Sequence, residues 1–526
     1  MRLSISLALT LATLAAQAWE PDNGDGTYTN PPLYADYPDP DIIRVGEDFY
    51  FATTTFANSP GLRILHSRDL VNWDIATHVL PRLDGRKAYD LDGGTAYRAG
   101  VYAPSLRWHR GSFYLAVTLV GQNTRIYQAK DIRGPWRHHE LDRAAFDPGL
   151  FFDTDGTPYI ATAAAFGSDG MITLLTLSDD LSRVLEARKI HHIPGAEGSK
   201  LIRRGDYYYL FNAVPKRLGM VISRARRLQG PWETVTSIDS PRTGGHQGAL
   251  VDLPDGSWWG FVMQDRGAIG RVTHLSPIFW QDDWPLWGTP DAPGRVPAVA
   301  RKPIPGQPRR QPATSDEFNA PVLGLQWAWN HNPDNALWSL TDHPGHLRMK
   351  ATRADSFWMA RNTLTQKGQG PYSHADLRLD LSGLARGDRC GFGTLGKVNA
   401  HIAATRNDDG KISLQMNVTV DGGESRTPVP AEPLDATAVT LRTEMDFTRS
   451  RGRVAYRTGG TWRHLGDEFE LAYDWRTGTF QGPQYAIFCF NPTTPIGQQG
   501  GHVDVDWFHF SDQREDPPAT TKPSRS

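Results

Sequence analysis

Gly46-Glu47-Asp48-Phe49-Tyr50 opens a pattern that returns four times, as Gly111-Ser112-Phe113-Tyr114, Gly156-Thr157-Pro158-Tyr159, Gly205-Asp206-Tyr207-Tyr208 and Gly256-Ser257-Trp258-Trp259. Each copy is a glycine turn running into aromatic strand residues. The copies lie 45 to 65 residues apart, the length of one four-stranded propeller blade. A second marker keeps the same period: Ser67-Arg68-Asp69-Leu70-Val71-Asn72-Trp73, Lys130-Asp131-Ile132-Arg133-Gly134-Pro135-Trp136, Ser178-Asp179-Asp180-Leu181 and Arg227-Leu228-Gln229-Gly230-Pro231-Trp232. These read as outer turns. One blade cannot bury both faces of its sheet, so five must stack and close around a central channel. Helical periodicity is scarce throughout, and the fold class expected is all-β: a five-bladed β-propeller over residues 19–289.

Outward from the repeats the composition changes. Pro290, Pro293, Pro297, Pro303, Pro305, Pro308 and Pro312 fall in a basic, strand-poor stretch, which reads as an extended linker over 290–314 that crosses a surface. Alternating strands resume over 315–512, for example at His401 to Thr405, Ile412 to Val420 and Val503 to Phe510, and predict a β-sandwich. Residues 513–526 are rich in Pro, Thr and charge and are expected to be disordered. At the other end, Arg2, the apolar run Leu3 to Ala15 and Ala16-Gln17-Ala18 read as a signal peptide over 1–18. A secreted or periplasmic protein is the consequence.

The chain of 526 residues carries 56 basic and 58 acidic side chains. That balance gives no electrostatic footprint for nucleic acid or an anionic membrane, and a neutral ligand is expected. No later stretch reaches the roughly 18 apolar residues of a membrane span. Seventeen Trp and seventeen Tyr supply flat rings that suit the apolar faces of pyranoses, although core packing accounts for most of them. Cys390 and Cys489 are the only cysteines; one disulfide and two buried thiols are both compatible with their placement. Asn417-Val418-Thr419 is a glycosylation acceptor triplet.

In a propeller the innermost strand of each blade begins near one mouth of the channel. Asp39 precedes its repeated glycine by seven residues, Asp147 by nine, Glu197 by eight and His246 by ten, and Tyr102-Ala103-Pro104 holds the equivalent place in the second blade. Three carboxylates and a histidine therefore converge on one mouth. Asp-Pro pairs are ordinary turn formers taken singly; three acids in register point to chemistry. Acids converging on a neutral, aromatic-lined site suit glycoside hydrolysis, which needs one carboxylic acid to protonate the leaving oxygen and one carboxylate across the sugar ring. A third carboxylate disfavours ionisation of the acid and raises its pKa.

Pro38-Asp39-Pro40, Asp147-Pro148, Glu197-Gly198, Gly245-His246 and Gly270-Arg271 together resemble glycoside hydrolase family 43. Ser315-Asp316-Glu317-Phe318-Asn319, Leu325-Gln326-Trp327 and Trp329-Asn330-His331-Asn332-Pro333 resemble the concanavalin-like sandwich attached to β-xylosidases of that family. The resemblance implies an inverting reaction in which Asp39 activates water, Glu197 protonates the leaving group and Asp147 tunes Glu197. It implies that His246 stands on the channel axis beside water or a metal ion, with a hydrogen-bonded core histidine as the rival. Arg271 is expected to contact substrate hydroxyls, or else to be a salt-bridged structural arginine, and Phe56 to line the sugar pocket. Tyr102 departs from the tryptophan of many relatives, which bears on substrate choice.

The substrate expected is a plant cell-wall oligo- or polysaccharide that loses terminal β-D-xylosyl, or α-L-arabinofuranosyl, residues. An exo-galactanase on the same scaffold and a non-catalytic carbohydrate-binding propeller are the alternatives. No cofactor is required by this chemistry. A structural calcium is conceivable between Glu317 and Asp506 near the first and last sandwich strands.

Overall fold

The computed structural model describes residues 19–514 apart from 164–168, 215, 217–218, 239–244 and 496–499. The signal-peptide reading of 1–18 and all but the first two residues of the tail read over 513–526 lie outside the described residues. Five antiparallel sheets follow one another along the chain. Their innermost strands are Asp41–Val45, Val101–His109, Gly149–Phe152, Glu197–Arg204 and His246–Asp252. All five repeated glycines turn between the first and second strands of their blades, and all have positive φ, from 57° to 93°. That backbone conformation costs a glycine little. The second marker sits between the third and fourth strands.

Strand alternation explains how the ring is glued. Successive side chains point to opposite faces of a sheet, so Ile42 packs toward the fifth blade while Ile43 packs toward the second. Leu150 and Phe151 divide likewise, as do Tyr208 and Tyr209, and Ala249 and Leu250. Five apolar clusters result, one in each gap between neighbouring blades.

The seam between the fifth and first blades is strapped by segments that looked irregular in sequence. Tyr28 donates its hydroxyl to the Leu275 carbonyl at 2.9 Å, and the Asn30 amide bridges the carbonyls of Leu275 and Pro297. The stretch expected to be strand-poor contributes Ala292–Pro293 as a fifth strand of the last blade, and Val299–Arg301, which pairs with Thr27–Thr29. Lys302 then buries its ammonium against Asp22 and Asp69. Prolines break the local alternation, while long-range pairing with the N-terminal segment restores strand geometry.

The C-terminal domain is a sandwich of two largely antiparallel sheets around one large core that includes Trp327, Leu377, Phe392, Ile402, Leu441, Ile487 and Phe508. Cys390 and Cys489 face each other across adjacent strands and are disulfide-bonded. The two domains share a sheet: Asn58–Ser59 of the propeller pairs with Ala328–Asn330 and forms the edge of the larger sandwich sheet. Asn58 is also hydrogen-bonded to Gln481 and Gln484. The two carboxylates singled out for calcium each lie beside a histidine. Glu317 bonds His509 at 2.6 Å, Asp506 lies 3.8 Å from His346, and among the described residues no cluster of three or more His, Cys, Asp or Glu stands ready for a metal.

Candidate active site

A left-handed residue stands at the start of every inner strand: Asp39 (φ 54°), Ala103 (φ 26°), Asp147 (φ 44°), Gly198 (φ 59°) and Gln247 (φ 50°). Four of the five are not glycine, an uncommon and strained choice that clusters at functional sites. The kink defines two adjacent rings of positions. Asp39, Asp147 and Gln247 occupy the kink itself; Tyr102, Phe146, Glu197 and His246 occupy the residue before it. All seven line one cavity of about 320 Å³ at a single mouth of the channel, with Arg98, Lys216, Met263, Asp265, Arg271, Tyr473, Trp475 and Phe480. Sequence offsets put Asp39, Asp147, Glu197 and His246 at one common position. The structure separates them into the two rings and keeps them together in the pocket.

Asp39 is buried and held from two sides. Arg271 Nη1 donates to both carboxylate oxygens at 3.2 and 3.4 Å. Thr54 accepts the Ala103 N–H at 2.7 Å, which turns its own proton toward Asp39 Oδ2 at 2.5 Å. Asp147, fully enclosed, accepts from Gln247 Nε2 at 3.3 Å. Burial, then the charge of Asp39, pushes Asp147 up to about 7. Burial, then the charges of Asp147 and Asp39, pushes Glu197 up to about 8. A carboxylic acid protonated near neutrality thus faces a cavity in which Asp39 is gripped by an arginine, the environmental split that separates acid from base.

Arg271 is paired with Asp39, yet its Nε and Nη2 are buried without a hydrogen-bond partner among the described residues. Both of its expected roles have a basis: one nitrogen is spent on Asp39, and two donors remain beside the pocket. His246 is buried with neither ring nitrogen hydrogen-bonded among the described residues; its Nε2 lies 3.6 Å from Asp265 Oδ2. Tyr102 lines the pocket, and its hydroxyl donates to the Arg98 carbonyl at 2.7 Å. Phe56 is the exception. Expected to line the pocket, it is buried one layer behind, its ring 5.0 Å from Tyr102 and 5.1 Å from Phe480. The physical reason is Phe480 itself, whose ring packs at a tilt against that position from the other domain.

The sandwich supplies one wall of the site. Tyr473, Trp475 and Phe480 come from the loop before strand Gln484–Asn491, and the Arg271 guanidinium sits 4.4 Å from the Phe480 ring. The loop is pinned by Asp36, whose carboxylate accepts both the Arg271 and the Gly482 N–H. Gly482 must be glycine there, because a Cβ would lie 1.9 Å from the Ile269 carbonyl oxygen. Residues 28–285 match the Glycosyl hydrolases family 43 profile, and residues 315–511 match the beta xylosidase C-terminal concanavalin A-like domain.

The chain belongs to glycoside hydrolase family 43. A beta-xylosidase of Formosa agariphila is 30% identical over 93% of the chain and 91% of the relative. A non-reducing end alpha-L-arabinofuranosidase of Bacteroides ovatus is 34% identical over 62% of the chain and 65% of the relative. Among solved structures, a bifunctional GH43-CE protein of Bacteroides eggerthii aligns with a TM-score of 0.84 at 33% identity, over 93% of this chain and 64% of that one. A family 43 enzyme engineered for both endo-xylanase and exo-arabinofuranosidase activity aligns with a TM-score of 0.84 at 29% identity, over 93% of this chain and all of that one. This family 43 chain is accordingly a glycosidase.

Sequence reading of this enzyme missed Asp265, Gln247 and the three sandwich aromatics. Gln247 had a signal, since it directly follows His246 in Gly245-His246-Gln247-Gly248. The aromatics had a weaker one, three rings in the glycine-rich run Tyr473 to Gly482; nothing local says which pocket they fill.

Proposed function

We propose that this glycosidase removes terminal β-D-xylosyl residues from plant cell-wall oligo- or polysaccharides, with inversion at the anomeric carbon, and is exported by residues 1–18. Asp39 takes a proton from water as its oxygen attacks the anomeric carbon. Glu197 gives its proton to the glycosidic oxygen as that bond breaks, and Asp147 tunes Glu197. The reading rests on one observation above all, a carboxylic acid raised to about 8 and an arginine-gripped aspartate in the same buried pocket. The aromatic wall from the sandwich favours chain ends over mid-chain attack, since it closes one side of the cavity. The hydrogen bonds that Arg271 Nε and Nη2 lack are supplied by sugar hydroxyls.

Release of an α-L-arabinofuranosyl residue is the second reading, favoured by the 34% identity to an arabinofuranosidase. Hydrolysis rates on nitrophenyl β-xyloside, α-L-arabinofuranoside and β-galactoside separate the candidates. Proton NMR of the first-formed sugar tests inversion: α-xylose released first from a β-xyloside supports it, and β-xylose first refutes it. Binding of oligosaccharides with no cleavage of any would leave a sugar-binding propeller instead.

A further inference from the structure

Lys200 lies three residues beyond Glu197 on the same inner strand, and its side chain is almost wholly buried. Its ammonium donates to the Pro104 carbonyl at 3.0 Å and stands 3.4 Å from Asp41 Oδ2. Pro104 follows Tyr102-Ala103 of the second blade, and Asp41 lies two residues past Asp39 of the first. One cation therefore ties together the inner strands that carry Glu197, Tyr102 and Asp39. On its far side it borders a second cavity, of about 240 Å³, with Asp41, Arg44, Arg107, Trp108 and Asp252.

The charges around it do not cancel locally. Asp41 already accepts Arg107 Nη1 at 2.8 Å and the Leu106 N–H at 2.8 Å. Arg44 is occupied with Asp252. Two cations, Arg107 and Lys200, thus share the single carboxylate of Asp41. The strand that follows Asp147 packs directly on that of Lys200, since a Cβ on Gly149 would lie 1.9 Å from the Ser199 carbonyl oxygen, and Gln247, which donates to Asp147, abuts Gly198 two residues before Lys200; that packing brings the charges of Lys200 and Asp147 to bear on each other.

We propose that Lys200 is a positioning residue for hydrolysis, its ammonium serving as the buried counter-charge that lets Asp147 stand negative beside Glu197. Burial and Asp39 push Asp147 up, and Lys200 opposes them. Burial drives Lys200 down, and Asp41 and Asp147 hold it up. The charged and titratable groups that share the pocket with Asp147 or act on Lys200 are Asp39 and Asp41 from the first blade, Arg98, Tyr102 and Arg107 on or just before the inner strand of the second, Glu197 and Lys216 from the fourth, His246, Asp265 and Arg271 from the fifth, and Tyr473 from the sandwich. Without the ammonium, the proton that belongs on Glu197 settles on Asp147, since two adjacent carboxyls share protons as a unit.

The inference rests on the roles given above to Asp147 and Glu197. Its test is the pH profile of kcat/KM for full-length enzyme on the nitrophenyl glycoside it cleaves fastest. Lys200→Gln keeps a donor for the Pro104 carbonyl and removes the charge, while Arg107→Met removes the other cation on Asp41. Lys200→Gln is expected to move the acid limb up by about one pH unit, with about tenfold lower kcat/KM on that side of the profile. Arg107→Met is expected to lower the thermal midpoint and leave the limb in place. An unmoved acid limb in Lys200→Gln, or an equal shift in Arg107→Met, overturns the assignment. Glu197→Gln, assayed on an oligosaccharide whose sugar leaving group needs a proton, keeps the two questions apart: if it stays fully active there, the catalytic reading falls first; if it is inactive there while Lys200→Gln has the wild-type profile, only the role of Lys200 falls.

Discussion

Replacing Phe480 by alanine removes the sandwich ring that packs on the Arg271 guanidinium. The ring lies 4.4 Å from the Arg271 guanidinium, 5.1 Å from Phe56 and 6.0 Å from Tyr102. A partly desolvated cation–π contact is worth about 1–2 kcal/mol and an aromatic pair about 0.5–1.5 kcal/mol. Only the share that orients Arg271, and through it Asp39, acts on the transition state. Taking that share as about 2 kcal/mol gives a roughly 30-fold loss of kcat/KM. Phe480 belongs to none of the apolar core clusters and is half-buried, so the thermal midpoint is expected to stay near the wild-type value. Phe480→Leu keeps apolar cover without the π-face and is expected to fall between the two. Initial rates on the best nitrophenyl glycoside, paired with a thermal melt, measure both. A kcat/KM for Phe480→Ala within twofold of wild type would refute the argument that the sandwich wall holds Arg271 in place.

Other outcomes follow from the same geometry. Glu197 pushed up to about 8 sets a basic limb near that pH, and Asp147→Asn, which removes its second-largest upward influence, is expected to move that limb downward. Because the folded-state pKa values of Asp147 and Glu197 lie above those of free carboxyls, the stability they contribute is complete below about pH 4 and is lost as pH rises through 7 to 8. Melts of Asp147→Asn and wild type are therefore expected to coincide in acid and to diverge by pH 9, with the variant more stable. Lys302→Met leaves Asp22 and Asp69 buried together without their cation, and a loss of about 3–5 kcal/mol in chemical denaturation is expected.

Much of this architecture was legible because its signals are local and repeated. A glycine with positive φ before one or two aromatics marks every blade, since no other residue takes that turn as cheaply. The mouth acids were legible by offset from those glycines, as the spacing from acid to glycine stays between seven and nine residues. Their division into two rings was not, because the left-handed kinks at Asp39, Asp147 and Gln247 fall on residues that give no such signal; only Gly198 does. Long-range pairings were hidden for a related reason. Asn58–Ser59 is too short and polar to read as a strand, and gains its hydrogen bonds only from Ala328–Asn330 in the other domain. Phe56 was read as pocket lining because nothing near it in sequence reveals that Phe480 covers it.

The most direct test is the dependence of Glu197→Gln on the leaving group. A xylose leaving from xylobiose needs a proton in the transition state, whereas a dinitrophenolate does not. Loss of the general acid is expected to lower kcat/KM on xylobiose by roughly 10² to 10⁴, and to leave dinitrophenyl β-xyloside far less affected. Equal losses on both substrates, or none on either, would contradict the assignment of Glu197 as the proton donor.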